Sequence, residues 1–289
     1  MQVVQGIIQK HMDEVQQSFI YQSKNDLLDQ YIEYKNADDY KAILIHLMLQ
    51  SSGLPMKQIH TLCIASELVD SGIKTHEKIE AVHQAEITKR QLTVLAGDFY
   101  SSKYYKILAD HNLIPAIKIL AKAIQEINEA KMSRHYANIQ DITPSVYIAW
   151  LEKIHASILG HLVDEYAIER DIWYEICSNV SLVQALLEEQ VQMVPTYNGV
   201  LSFKIVLLYQ KLNTEEKNEF SNILNNKEKL TAVLVKYNIQ AIINHYAEQF
   251  SNRAIQCIDQ LQTKFVKDEV RKCVNQLFQH TMNHSLAHE

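Results

Sequence analysis

"RQLTVLAGDFYSSKYYKIL", residues 90–108, reads as a helix with almost no polar face: between Gln91 and Leu108 the only charges are Asp98, Lys103 and Lys106. A helix apolar on nearly every side is buried on most of them, in a domain core or against a partner chain. Gly97 and Asp98 stand in its middle, in a chain that uses only 6 glycines in 289 residues. Glycine inside a helix costs about 1 kcal/mol relative to alanine. Its use here points to a second helix passing at close range.

The rest of the composition agrees with a helical chain. Average usage predicts roughly 20 glycines and 15 prolines for this length, against the 6 and 4 present. Turns and strand corners consume those residues, so their scarcity implies long helices with few tight connections and an all-α fold. No stretch has linker composition, low complexity or a repeat, so the expectation is one domain over residues 1–289. Apolar residues recur at three- and four-residue steps near 113–132, 145–166, 171–192, 227–249 and 252–282. Ser52-Gly53-Leu54-Pro55 breaks the chain and starts a helix, with Pro55 in its first turn. Thr143-Pro144 reads as a cap followed by proline at the first helical position, and Asn213 to Glu216 as a capping box. Asp38-Asp39 reads as helix-start chemistry, with Asp38 or Asn36 capping.

A net charge of −6 and a pI near 6.1 provide no basic field for nucleic acid. Cys63, Cys177, Cys257 and Cys273 form no CxxC pair and read as buried reduced thiols. The opening MQVVQGIIQKHMDEVQQ lacks a basic region followed by an apolar block, so no signal peptide is expected. The longest charge-free apolar stretch, residues 42–56, is too short to span a bilayer. The expected location is the cytosol.

"KRQLTVLAGDFYSSKYYKILA" (89–109) followed by "LAKAIQEINEAKM" (120–132) resembles the component I family of heptaprenyl diphosphate synthase, related to the wider trans-polyprenyl diphosphate synthase family. Weaker likeness covers most of the chain. "YIAWLEKIHASIL" (147–159) resembles the helix around the family's Lys-Thr-Ala segment, and residues 237–261 resemble its closing helices. The resemblance implies the isoprenoid-synthase fold, a bundle of long helices around a central cavity. It also implies a catalytic partner, component II, carrying two DDxxD motifs that hold magnesium. The physics requires such motifs, because pyrophosphate leaves only when metal ions neutralise its charge, and magnesium takes carboxylate oxygens at near-octahedral positions.

Both motif positions depart from that pattern. "ASELVDSGIKTHEKIE" (65–80) has Asp70 alone, with Glu67 one turn back, and "SLVQALLEEQVQ" (181–192) has Glu188-Glu189 followed by Gln192. The Lys-Thr-Ala lysine persists as Lys153, with Ile154 in place of threonine. Glu67 and Asp70 read as solvated residues near a helix end at Gly72, with a residual magnesium pair as the alternative. Glu188 and Glu189 read as an acidic pair on an exposed helix face, with a degenerate metal motif as the alternative. His280, His284 and His288 share a four-residue spacing able to chelate zinc or nickel adventitiously at a frayed terminus. Cys63 near His60 and His76 reads as core packing. No catalytic residue and no metal ligand is assigned to this chain.

The expected function is that of a non-catalytic subunit paired with component II, shaping the elongation cavity and so the product length of a menaquinone side chain. In the family's homodimers the interface is built from the Gly-Asp helix and the next one. The expected interface or structural residues are therefore Arg90, Leu95, Gly97, Asp98, Tyr100, Tyr104, Ile117 and Ile124. Asp98 reads as a buried, paired charge, with fixing the partner's register as the alternative, and Phe99, Tyr100, Tyr104 and Tyr105 as core or interface packing, with the lining of a prenyl tunnel as the alternative. The alternatives are a self-sufficient class I prenyltransferase or terpene synthase using the four acids above, and a helical scaffold without prenyl chemistry.

Overall fold

The computed structural model describes residues 2–28, 39–81, 86–191 and 201–286. Among them every long element is an α-helix and no strand forms. The chain divides into two compact units, Met1–Ile124 with His161–Arg170, and Gln125–Gly160 with Asp171–Glu289. The first contains α1 (Gln2–Ser23), α2 (Asp39–Ser51), α3 (Met56–Glu77), α4 (Ile87–Asp110), the start of α5 (Ile114–His135) and the end of α6 (Pro144–Tyr166). The second contains the remainder of α5 and α6, nearly all of α7 (Arg170–Val191), then α8 (Phe203–Lys211), α9 (Thr214–Asn218), α10 (Phe220–Leu224), α11 (Lys227–Lys236), α12 (Ile239–Ile258) and α13 (Lys264–Leu286).

In the first unit α3 packs along α4 on one side and against α1 and α2 on others. The helix buried all round is α2: Leu44, Ile45, Leu47, Met48 and Leu49 are fully enclosed, and so are the polar Lys41 and His46. Each large apolar side chain removed from water contributes about 1.5–3 kcal/mol, so this run is a major contribution to the unit's core. α4 is more one-sided than its composition suggests. It buries Ala96, Tyr100, Tyr104, Ile107 and Leu108, but leaves Ile87, Val94, Leu95 and Tyr105 exposed.

The close helix approach expected at Gly97 involves two glycines. α3 does not end at Gly72 but runs through it to Glu77. A Cβ at Gly72 would lie 3.3 Å from the Gly97 carbonyl oxygen and 3.4 Å from Ser101 Oγ, so backbone meets backbone there. A Cβ at Gly97 would lie 2.4 Å from His76 Nε2, the end of a half-exposed side chain that can swing aside. Gly72 is thus a packing residue and not a cap. Gly72→Val should cost about 2 kcal/mol through overpacking against immovable backbone. Gly97→Ala should stay within about 1 kcal/mol of the parent, because the gain in helix propensity offsets the displaced imidazole. Urea unfolding of the two variants checks the ranking, and a larger loss at Gly97 would contradict it.

The core of the second unit gathers Tyr147 and Leu151 of α6, Leu182 and Leu186 of α7, Phe203, Val206 and Leu208 of α8, and Ile243 of α12. The expected caps form. α6 begins at Pro144 with Thr143 Oγ1 accepting the Val146 N–H. Asn213 and Glu216 make both halves of the capping box. The periodic run 227–249 is two helices, broken at Asn238, whose φ of 50° lies in the left-handed region that asparagine tolerates. The second break falls after Ile258 and not after residue 249. α2 starts at Asp39; Asp38 and Asn36 lie outside the described residues. Cys63, Cys177 and Cys273 are buried, Cys257 is half-buried, and none of the four forms a disulfide.

Candidate functional site

The two positions where carboxylates would grip metal are built very differently from a metal cradle. On α3, Asp70 lies between two ammonium groups: Lys41 Nζ of α2 is 2.6 Å from its Oδ1, and Lys74 Nζ, one turn on, is 2.6 Å from its Oδ2. The Lys41 side chain is only 6% exposed and that of Lys74 is 37% exposed. Burial acts to raise the Asp70 carboxyl pKa, but the charges and hydrogen bonds of Lys41 and Lys74 outweigh it and hold the group well below the usual carboxylate range. Glu67, one turn earlier, is buried at 2% exposure. Burial, and then the Glu67 charge, push the Cys63 thiol up, so Cys63 is an inert core thiol. Neither acid is the solvated surface residue that the spacing suggested, because α3 continues past Gly72 and buries this face.

On α7, Glu188 is exposed and receives a hydrogen bond from Gln184 Nε2, one turn back. Glu189 turns inward. Its Oε1 accepts from the Tyr147 hydroxyl at 2.5 Å and its Oε2 accepts from the Phe203 N–H at 2.6 Å. The Tyr147 ring stacks on Phe203 at 5.5 Å. Burial raises the Glu189 carboxyl pKa, and the hydrogen bonds from Tyr147 and Phe203, with the charges of Arg134 and Lys204, only partly offset it. Burial and the Glu189 charge lift the Tyr147 phenol well above its ordinary value. Lys204 Nζ donates to the Gln190 carbonyl 3.1 Å away. Glu189 therefore ties the end of α7 to the start of α8, a structural duty that uses both its oxygens.

These residues do not fit magnesium. A hard divalent ion needs several carboxylate oxygens free to converge, whereas Asp70 is engaged by two cations and Glu189 by two donors. Among the described residues no group of three His, Cys, Asp or Glu side chains could hold a metal ion. Lys153 is exposed on α6. His280 and His284 fall in the last turns of α13, where no side chain is described, and His288 lies outside the described residues.

On α4 the expected interface residues separate into two sets. Tyr100 and Tyr104 are buried within the unit, and Gly97 lies under the His76 ring. Leu95 and Asp98 face outward, their exposure 57% and 67%. Asp98 is not the buried charge its surroundings in the sequence implied; its neighbour is His76 Nε2 at 3.7 Å. Arg90 is half-buried and donates through Nη1 to the Ile79 carbonyl at 2.9 Å. Ile117 and Ile124 of α5 are half-buried. Sequence reasoning missed Lys41, whose signal was its position as the lone charge in an apolar run. It also missed Tyr147 and Phe203 as Glu189 partners, for which spacing carries no signal.

Residues 25–240 match the family described as heptaprenyl diphosphate synthase (HEPPP synthase) subunit 1. The chain belongs to that family. Heptaprenyl diphosphate synthase component 1 of Geobacillus stearothermophilus is 29% identical over 154 residues, covering 53% of this chain and 68% of the relative. The decaprenyl diphosphate synthase of Rhodobacter capsulatus superposes with a TM-score of 0.79 at 11% identity, covering 96% of this chain and 98% of that one. The geranylgeranyl pyrophosphate synthase of Corynebacterium glutamicum does so at 0.78 and 13%, covering 97% and 95%. The subunit 1 chain thus has the all-α isoprenyl diphosphate synthase fold. Among its described residues no helix is long and apolar enough to cross a membrane.

Proposed function

We propose that this subunit 1 chain is the non-catalytic half of a heteromeric heptaprenyl diphosphate synthase, paired with a DDxxD-bearing component II. The observation that carries this reading is the use of one remnant acid at each motif position inside the chain: Asp70 by Lys41 and Lys74, and Glu189 by Tyr147 and the Phe203 amide. A carboxylate already neutralised by an ammonium gains little from a metal and would have to give up that partner to take one. Ionisation of an allylic diphosphate, which needs charge neutralisation at the leaving group, then falls to the partner and its magnesium. Subunit 1 contributes helical walls that bound the growing prenyl chain, so its apolar surface sets the length reached, and the product serves as a menaquinone side chain. The outward apolar face of α4, with Leu95 and Asp98, supports its use as the docking surface.

The test is a prenyl-transfer assay with farnesyl and isopentenyl diphosphates and magnesium. The purified chain alone should form no product above background, and the co-purified complex should form long-chain prenyl diphosphate. Turnover by the chain alone would establish a self-sufficient enzyme. Failure to co-purify, with no gain in the partner's activity, would leave a scaffold without prenyl chemistry.

A further inference from the structure

Where α1 lies on α2 and α3, three imidazoles each keep a buried nitrogen without a hydrogen bond. They are His11 Nδ1 of α1, His46 Nε2 of α2 and His60 Nε2 of α3, none of which has a partner among the described residues. The His11 and His46 ring centroids are 5.4 Å apart, and the His11 charge acts on both His46 and His60. His46 is 1% exposed, and His11 and His60 are half-buried. Buried polar atoms are nearly always bonded, so three orphans at one helix junction need a reason. Stability does not supply it, because apolar side chains of similar shape would pack there without the penalty. Among the described residues no group of three such side chains could hold a metal ion. What an imidazole with a free nitrogen still takes is a proton.

A proton there finds little to balance it. Burial first, then His11, holds the His46 pKa down at about 4. Burial also lowers that of His60; the charge and carbonyl of Glu14 offset part of this, and His11 and His111 add to it. On α1, Glu14 is exposed and 3.9 Å from Lys10, and Asp13 is exposed and accepts from Gln9. His111, at the end of α4, is bonded through Nδ1 to the Ile107 carbonyl at 2.8 Å. On α3, Lys57 is exposed and Glu67, about two turns beyond His60, acts on Cys63. Lys41, more than one turn before His46 on α2, is closed on Asp70.

α1 is also held lightly. Among its described side chains Val15 and Phe19 are the buried large apolar ones, whereas α2 encloses Leu44, Ile45, Leu47, Met48 and Leu49. Local opening begins at elements with few buried apolar contacts. We propose that α1 is an acid-released latch: protonation of the histidines beneath it lifts the helix off α2 and α3 while the rest of the fold persists. Once α1 leaves, His46 and His60 regain water and their ordinary proton affinity. Release therefore takes up protons between pH 6.5 and about 4, and falling pH favours it. The α3 face that α1 covers is uncovered in the same step.

Hydrogen exchange of the full chain, read by mass spectrometry from about pH 7.5 to about pH 5 as protection over intrinsic exchange, tests this. A detached helix without packing frays, so its amides exchange. Peptides of α1 should lose about 30-fold in protection from the proton uptake of His46 alone, while those of α3 keep theirs. His46→Leu, or the polar but proton-insensitive His46→Gln, should abolish most of that fall. Constant protection in α1 across the series would overturn the proposal. So would α1 and α3 losing protection together, which is unfolding of the whole unit, or a fall as steep in the folded variants as in the parent.

Discussion

Lys41→Met should lower the unfolding free energy by about 3 kcal/mol. Lys41 is buried and donates to Asp70 at 2.6 Å. Removing one member of a buried pair leaves an under-compensated charge and typically costs about 3–5 kcal/mol. The lower end applies because Lys74, closer to solvent, still holds the other Asp70 oxygen. Adding Asp70→Leu to Lys41→Met should recover most of the loss, since an apolar pair of similar volume is tolerated where half an ion pair is not. The same pair determines an acid response. The Asp70 pKa is depressed in the folded state, so its contribution is present above the ordinary carboxylate range and is lost as pH falls through the folded value. Urea unfolding of the parent, the single and the double variant measures this cycle. A loss below about 1 kcal/mol in Lys41→Met would mean the pair is not maintained in solution.

The second large effect is acid destabilisation through His46, in the middle of the buried α2. Burial, reinforced by the neighbouring His11 ring 5.4 Å away, holds its pKa down at about 4 from an ordinary 6.5. Among the described residues its buried Nε2 has no hydrogen-bond partner, so protonation would place a charge that none of them receives. Between these two values the unfolded chain binds a proton that the folded chain refuses, so stability rises with pH there. Acidification from above 6.5 to about 4 should therefore cost about 3 kcal/mol from this residue. His46→Leu fits the same apolar surroundings and should show a shallower fall in stability over that window while matching or exceeding the parent at neutral pH. Unfolding free energies measured across the window test this, and parallel slopes for parent and variant would refute the assignment.

Helix α3 shows where sequence reasoning reaches its limit. The scarcity of glycine and proline made a helical chain legible, and three-to-four-residue periodicity located most helices. Thr143 and Asn213 showed their caps because capping chemistry is local, complete within four residues. Gly72, by contrast, looked like a helix terminator, since a glycine at a helix end and a glycine in a helix crossing are the same letter. The Gly97 carbonyl 3.3 Å from its missing Cβ distinguishes them, and that oxygen belongs to another helix. α4 looked buried all round from composition alone, but α2 is, because burial depends on how many neighbours pack around a helix.

The chain by itself determined that the protein is all-α, that it follows the subunit 1 pattern, and that neither residues 65–80 nor 181–192 contain a DDxxD sequence. Those features are properties of residue type and short spacing, which no folding is needed to express. Only the tertiary structure decided what the surviving acids do. The Glu189–Tyr147 bond joins positions 42 residues apart and the Lys41–Asp70 bond positions 29 apart. A carboxylate's role follows from the donors that surround it in space, and at those separations only the fold brings donor and acceptor together.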